Sequence, residues 1–270
     1  MKKFTKTLLA AGLALSMAAC SSSTASNTEE ESTTWKEQTL LVAAAASLKN
    51  AYDNELIPMF EEANPGLTVD GTYASSGDLQ TQIEGGLDAD IFMSAALKQM
   101  DALCDEDLID TDTRVDLLEN KIVLIVPEDS TLEITSFEDL KNLEDGVILA
   151  IGDPESVPAG QYAKESLETL GIWADVEDNL SLGTDVTAVL NQVAQGSAEC
   201  GIVYATDAAS IEGVKVIAEA PADSLATPVI YPVAVVKAST KSDAAKAFVD
   251  FLQTDEALAV FEKYGFTINK

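Results

Sequence analysis

From Thr39 onward, apolar residues fall into short unbroken runs that alternate with longer stretches at helical spacing. Residues 40–46 form such a run, the pattern of a strand buried on both faces. Leu48, Ala51, Tyr52, Leu56, Met59, Phe60 and Ala63 then recur at the spacing of one helix face. Ser47 stands where an N-cap hydroxyl would serve that helix, Pro58 predicts a kink in it, and Asn64-Pro65-Gly66 predicts its end. Further strands are predicted at residues 67–73, 89–94, 121–127, 147–151, 201–204, 214–218 and 229–236. Helices are predicted from Ser75-Ser76-Gly77 to Gly85-Gly86 and over 95–107, 113–118, 242–253 and 255–264. Ser136 with Asp139 spells a capping box for 137–143, a helix leads from the 152–160 loop to Gly171, and Thr184 is placed to cap a helix over 185–195. No repeat of fixed period runs through the chain. Strand–turn–helix succession of this kind predicts an α/β protein with mostly parallel sheets.

Four of the junctions leading into helices carry small or hydroxyl residues: Ser47, Ser75-Ser76-Gly77, Ala159-Gly160 and Thr184-Asp185-Val186. Open α/β sheets bind ligands at the carboxyl ends of their strands, beside helix N-termini. Those N-termini present unpaired N–H groups and a partial positive charge, which suits an anion. Capped helices are common to all such proteins, so these junctions alone suggest an oxyanion site without specifying one.

The first residues read as an address. Lys2, Lys3 and Lys6 precede an apolar run over 8–15, far shorter than the ~20 residues of a membrane-spanning helix. Met17-Ala18-Ala19-Cys20 resembles the lipobox of bacterial lipoproteins, which predicts a signal peptide over 1–20 and a lipidated Cys20. Residues 21–34 are nearly all Ser, Thr, Ala, Asn and Glu and predict a solvated tether with a reach of roughly 20 Å. The predicted location is the outer face of the cell membrane, with membrane contact through the lipid alone.

Composition narrows the chemistry. Of 270 residues, 16 are Lys or Arg and 46 are Asp or Glu, a formal charge of −30, and 47% are hydrophobic. That apolar share can fill a core, while the acidic surface would repel a phosphate backbone, so nucleic acid is excluded as a partner. No histidine is present, which removes the usual member of catalytic triads and of many zinc sites. Neither Ser47 nor Ser76 lies in a Gly-x-Ser-x-Gly elbow or begins a Ser-x-x-Lys spacing, so an extracellular serine hydrolase is a poor alternative. Besides Cys20 there are Cys104 and Cys200, read as two separate buried thiols. The only arginine, Arg114, sits among Asp110, Asp112 and Asp116 and predicts a surface ion-pair network rather than an anion clamp. Residues 105–116 lack the spacing of a calcium loop, and Tyr162, Tyr231 and Tyr264 are expected to pack with hydroxyls at the surface.

Five segments carry a resemblance when taken in order. Ala43-Ala44-Ala45-Ala46-Ser47-Leu48, Tyr73-Ala74-Ser75-Ser76-Gly77, Gly152-Asp153-Pro154-Glu155-Ser156-Val157-Pro158-Ala159-Gly160, Gly201-Ile202-Val203-Tyr204 and Tyr264-Gly265-Phe266 together resemble the molybdate-binding proteins of ABC transporters. The resemblance implies a two-lobed periplasmic-binding-protein type II fold that closes around one molybdate or tungstate ion and serves an ABC permease of the inner or cytoplasmic membrane. It implies that Ser47 and Ser76 hold the anion from the first lobe. From the second lobe it implies Ala159 and Val186, through backbone N–H, and Tyr204, through its hydroxyl. It further implies a monomer that is not an enzyme, has no cofactor and ligates no metal directly, molybdenum arriving as the oxyanion. Lobe 1 would comprise 35–120 plus 232–270 and lobe 2 121–231, with hinges near 120–123 and 230–232. The long acidic tether and Gly77, where the family often has a second serine, depart from the pattern.

A dianion in a site without Lys or Arg is held by neutral dipoles, each hydrogen bond to a charged group contributing about 1.5–3 kcal/mol. Such a site selects by size, and it disfavours a protonated phosphate, which brings a donor of its own. Sulfate or another anion is the alternative ligand, since the tether would serve any of them.

Overall fold

The computed structural model describes residues 35–269; the predicted signal peptide, Cys20 and the tether lie outside the described residues. Strand β1 (Gln38–Ala45) explains its own unbroken apolar run: Leu40, Val42 and Ala44 face the larger hydrophobic core and Ala43 a smaller one behind the sheet. The other strands are β2 (Leu67–Ala74), β3 (Ile91–Met93), β4 (Ile109–Asn120), β5 (Ile122–Pro127), β6 (Leu149–Gly152), β7 (Leu180–Gly183), β8 (Cys200–Tyr204), β9 (Val214–Glu219), β10 (Val229–Val236) and β11 (Thr267–Ile268). They form one sheet in the order β11-β4-β10-β3-β1-β2 and a second in the order β7-β6-β8-β5-β9.

Helices α1 (Lys49–Ala51) and α2 (Ile57–Ala63) are joined by a π-helical turn, Tyr52–Leu56. That turn widens the ladder just before Pro58, whose missing N–H predicted a break there. Helices α3 (Ser76–Glu84), α4 (Leu97–Asp105), α5 (Pro158–Thr169), α6 (Trp173–Val176), α7 (Val186–Ala194) and α8 (Ala205–Ala209) connect the strands. The closing helices α9 (Ser242–Phe251) and α10 (Asp255–Lys263) pack Phe248 and Phe261 against Tyr52, and Phe248 meets Phe60 edge-on at 4.8 Å.

The sheets are mixed, not mostly parallel: four strand pairings are parallel and five antiparallel. The parallel pairs are those linked through helices. The antiparallel ones arise because β4 and β5, separated by Lys121 alone, pass from the first sheet to the second without a helical crossover, and β10 returns. Both passages lie side by side, with Val229 opposite Asn120 and the Ala220 N–H bonded to the Ile122 carbonyl. The expected return at 232 falls inside β10, which pairs with β4 from Val229 onward.

Residues 113–118, expected to be helical, are the middle of β4. The β-branched Thr113 and Val115 suit a strand, and at the β4–β10 register shift the Thr113 hydroxyl accepts the Val235 N–H at 2.9 Å in place of a ladder carbonyl. Cys104 on α4 is half-buried and Cys200 at the start of β8 is buried; both are free. Burial, helped by Glu199, pushes the Cys200 thiol up to about 12. Asp90, buried just ahead of β3, accepts from the Leu41 N–H (2.7 Å), Ser239 Oγ (2.6 Å) and Lys241 Nζ (2.8 Å), and so ties the start of the C-terminal helices to the sheet.

Candidate functional site

The junctions after six strands converge. Ser47 follows β1, Ser75 and Ser76 follow β2, and Ala95 follows β3; from the second sheet come Ala159 after β6, Val186 after β7 and Tyr204 at the end of β8. These residues line one cavity of about 10 Å³ at the carboxyl ends of those strands. A space this small lies far below the roughly 300–1,000 Å³ of pockets for drug-sized ligands, so only a small ion or molecule could be enclosed there. All five residues expected to contact a ligand, Ser47, Ser76, Ala159, Val186 and Tyr204, are brought together there.

Each brings a donor for a local reason. Pro158 opens α5 and has no N–H, so Ala159 carries the first free donor of that helix. Asp185 caps α7 by accepting the Ala188 N–H at 2.8 Å, and Val186 begins the helix. Ser75 caps α3 by accepting the Asp78 N–H at 3.1 Å, and Ser76 Oγ accepts the Ala95 N–H at 3.0 Å. Ser47 Oγ lies 3.0 Å from Tyr231 Oη. Tyr204 Oη donates to the Ala95 carbonyl at 3.3 Å, long for an O–H···O bond and therefore easily exchanged for a better acceptor.

Among the described residues, no Lys or Arg lines the cavity. Its one acid, Asp185, turns its carboxylate to the helix it caps. Burial raises the phenols of Tyr204 and Tyr231 well above their usual range, so both stay neutral. Nearby Asp207 on α8 is buried with Oδ2 unpartnered; burial, then the charge of Asp185, pushes its carboxyl up to about 8. At neutral pH it is mostly protonated and adds little negative charge. Among the described residues no group of three or more His, Cys, Asp or Glu is placed to hold a metal ion.

The two sides of the cavity also touch directly. The Gly77 N–H donates to the Ser156 carbonyl at 2.9 Å, and Gln99 Nε2 to Gln161 Oε1 at 3.1 Å. A Cβ on Gly77 would stand 2.4 Å from the Ser156 oxygen, so this approach requires glycine. Behind the cavity, Asn120 Nδ2 reaches Thr206 Oγ1 (2.8 Å) and Tyr231 Oη (3.2 Å), and its Oδ1 accepts the Lys121 N–H (2.8 Å).

Several sequence expectations change. Ser47 caps nothing: Ala45 holds the N-cap position of the 3-10 turn Ala46–Leu48, which leaves the hydroxyl free to face the cavity. Asp185, not Thr184, caps α7, because its side chain reaches the third helical N–H. Tyr231 is fully buried with its hydroxyl among polar partners, and Tyr162 is buried as well. Arg114 makes the expected ion pair with Asp116 (3.0 Å) and adds Asp101 (2.6 Å), whereas Asp110 pairs instead with Lys246. From sequence, Tyr231 is expected only to pack and Asn120 only to mark a hinge, so neither is singled out as part of the site. Ser75 stands in the junction already marked by Ser76, whereas nothing local marks Tyr231, which meets Ser47 across 184 residues, or Asn120, which meets Tyr231.

Comparison with known proteins adds independent information. The family described as bacterial extracellular solute-binding protein matches residues 40–267. The "Molybdate-binding protein ModA" of Escherichia coli (strain K12) is 43% identical over 226 residues, 83% of this chain and 86% of that protein. The "Putative ABC transporter substrate-binding lipoprotein YvgL" of Bacillus subtilis (strain 168) is 42% identical over 222 residues, 82% of this chain and 84% of its own. Among solved structures, the "substrate binding domain of putative molybdenum ABC transporter from Clostridium difficile" superposes with a TM-score of 0.65 at 37% identity, covering 86% of this chain and 99% of that one.

Proposed function

We infer, for a chain that belongs to the bacterial extracellular solute-binding protein family, that it captures molybdate or tungstate outside the cytoplasm and delivers it to an ABC importer. The observation that carries this reading is the cavity itself: small, cation-free, and lined by Ser47, Ser76, Ala159, Val186 and Tyr204 from the carboxyl ends of strands in both sheets. The names of the relatives at 42–43% identity support the same ligand and the same transport role. Ser47, Ser76 and Tyr204 donate through hydroxyls and Ala159 and Val186 through backbone N–H at helix starts, so the dianion exchanges its hydration for several neutral donors. Sulfate, a smaller tetrahedron, would be held too loosely by the same donors, and donor-only chemistry disfavours protonated phosphate.

Residues 35–120 with 232–270 form one lobe in this reading, and 121–231 the other. Rotation about the adjacent passages at 120–123 and 230–232 opens and closes the cleft. Lipidation of Cys20 anchors a monomer to the outer face of the membrane, where it meets the permease. The relative described as a lipoprotein supports the anchor.

Isothermal titration of tether-free protein with molybdate, tungstate, sulfate and phosphate tests this. Tight one-to-one binding of the first two alone is expected, and binding of sulfate or of none would overturn it. Ser47→Ala should cost about 1.5–3 kcal/mol, roughly 10- to 150-fold in affinity, with the fold intact.

A further inference from the structure

The hydroxyl of Ser47 is the near end of a hydrogen-bonded chain whose polarity is fixed from Lys121 as far as Tyr231. Asn120 Oδ1 accepts the Lys121 N–H at 2.8 Å, and a backbone N–H can only donate, so the amide orientation is settled by this bond. Nδ2 then lies toward Thr206 Oγ1 at 2.8 Å and Tyr231 Oη at 3.2 Å, and its two protons are both assigned. Tyr231 Oη accepts one of them. Between Tyr231 Oη and Ser47 Oγ, 3.0 Å apart, either hydroxyl can donate; with an Asn120 proton already on the Tyr231 oxygen, donation from Tyr231 to Ser47 gives each atom of the chain a distinct role. With its oxygen occupied in this way, Ser47 has a proton left for the cavity it lines.

Ser76 is set by the same logic on a shorter path. The Ala95 N–H occupies its oxygen at 3.0 Å, which leaves its proton free. Both serines are therefore turned into donors, but only Ser47 depends on side chains for it.

We propose that Tyr231 and Asn120 are positioning residues that act through Ser47, orienting its hydroxyl as an obligate donor to the bound oxyanion. The proposal rests on the oxyanion-binding reading above. Asn120 ends β4 and Tyr231 lies on β10, at the two adjacent passages between sheets, while Thr206 lies on α8 beside the second sheet. The donor orientation of Ser47 is thereby tied to the arrangement of the chain at the passages, and a rotation there that parts Asn120 from Thr206 or Tyr231 would release it. Without the Tyr231 hydroxyl, Ser47 would be free to turn and the cavity would lose a pre-aimed dipole.

A double-mutant cycle on the full folded protein, read by titration with molybdate, tests this. Tyr231→Phe keeps the ring and should weaken binding about 5- to 30-fold in the wild-type background, but less than about 2-fold when Ser47→Ala is already present. Asn120→Leu, one step further back, gives a second cycle with the same non-additivity and covers the case in which Tyr231→Phe fails to fold. Equal losses with and without Ser47 would make these residues ordinary packing and overturn the proposal, as would undiminished affinity in both single variants. Wild-type protein that binds no tetrahedral oxyanion would bring down the functional reading and this proposal together. Tight wild-type binding with additive cycles would bring down the proposal alone.

Discussion

Replacing Gly77 by alanine asks whether the cavity depends on direct contact between its two sides. The added Cβ would lie 2.4 Å from the Ser156 oxygen, 2.8 Å from its Cα and 2.9 Å from its carbonyl carbon. All three are backbone atoms, so no rotamer change clears them. Relief requires α3 and the loop before α5 to separate, and the 2.9 Å bond from the Gly77 N–H to that same oxygen is lost in doing so. Overpacking of this kind costs about 1–3 kcal/mol, and the lost hydrogen bond about 0.5–1.5 kcal/mol. A penalty of about 2–4 kcal/mol, falling on the closed arrangement alone, corresponds to roughly 30- to 1,000-fold weaker anion binding. On the proposed hinge motion the ligand-free protein opens and escapes the clash, so its melting temperature should move little. Titration calorimetry with molybdate, paired with thermal melts without and with ligand, reads both quantities. Unchanged affinity would refute the argument that this approach closes the site, and parallel losses of ligand-free stability and affinity would assign the effect to damage in α3.

Three further outcomes are expected. The Asp207 carboxyl is held up to about 8 by burial and then by Asp185. A folded value above the unfolded ~3.9 gives stability that is full below about pH 4 and is lost as pH rises toward 8, with a slope of up to about 1.4 kcal/mol per unit. Asp207→Asn should flatten that decline in urea unfolding between about pH 5 and pH 8, and an identical slope in both proteins would rule Asp207 out as its source. Asp90→Ala strips the partner from Lys241 and from the Leu41 N–H, and should cost about 3 kcal/mol, a melting-temperature drop of roughly 6–12 °C. A shift below about 2 °C would mean that solvent serves Lys241 as well as the carboxylate does. Cys20→Ser should move the protein from the membrane fraction to the medium, and continued membrane association would count against the lipid anchor.

What was legible in the sequence was local. The unbroken run of β1, the Ser136–Asp139 capping box and the β10 boundaries follow from neighbours in the chain, and the structure has them. Residues 113–118 were misread because alternation in a twisted, bulged strand resembles helical spacing, and β10, which decides the matter, lies more than a hundred residues away. The five cavity residues were reachable through ordered motifs, each a strand end entering a helix. Tyr231 sits in an apolar strand where its hydroxyl gives no local sign of a partner, and its link to Ser47 spans 184 residues. Asn120 likewise looks like a polar residue of a hinge between an expected helix and a strand until the sheet puts it beside Tyr231 and Thr206.

The lack of any cation in the cavity, on a chain with a formal charge of −30, has a kinetic consequence. Long-range forces here oppose the arrival of a dianion; attraction begins only at hydrogen-bonding distance. Dissolved salt shortens the reach of that repulsion to about 8 Å at 0.15 M while leaving the neutral donors untouched. Capture should therefore accelerate as ionic strength rises, the reverse of a site built on arginine. On the proposed opening of the cleft, the same field would push the ion outward.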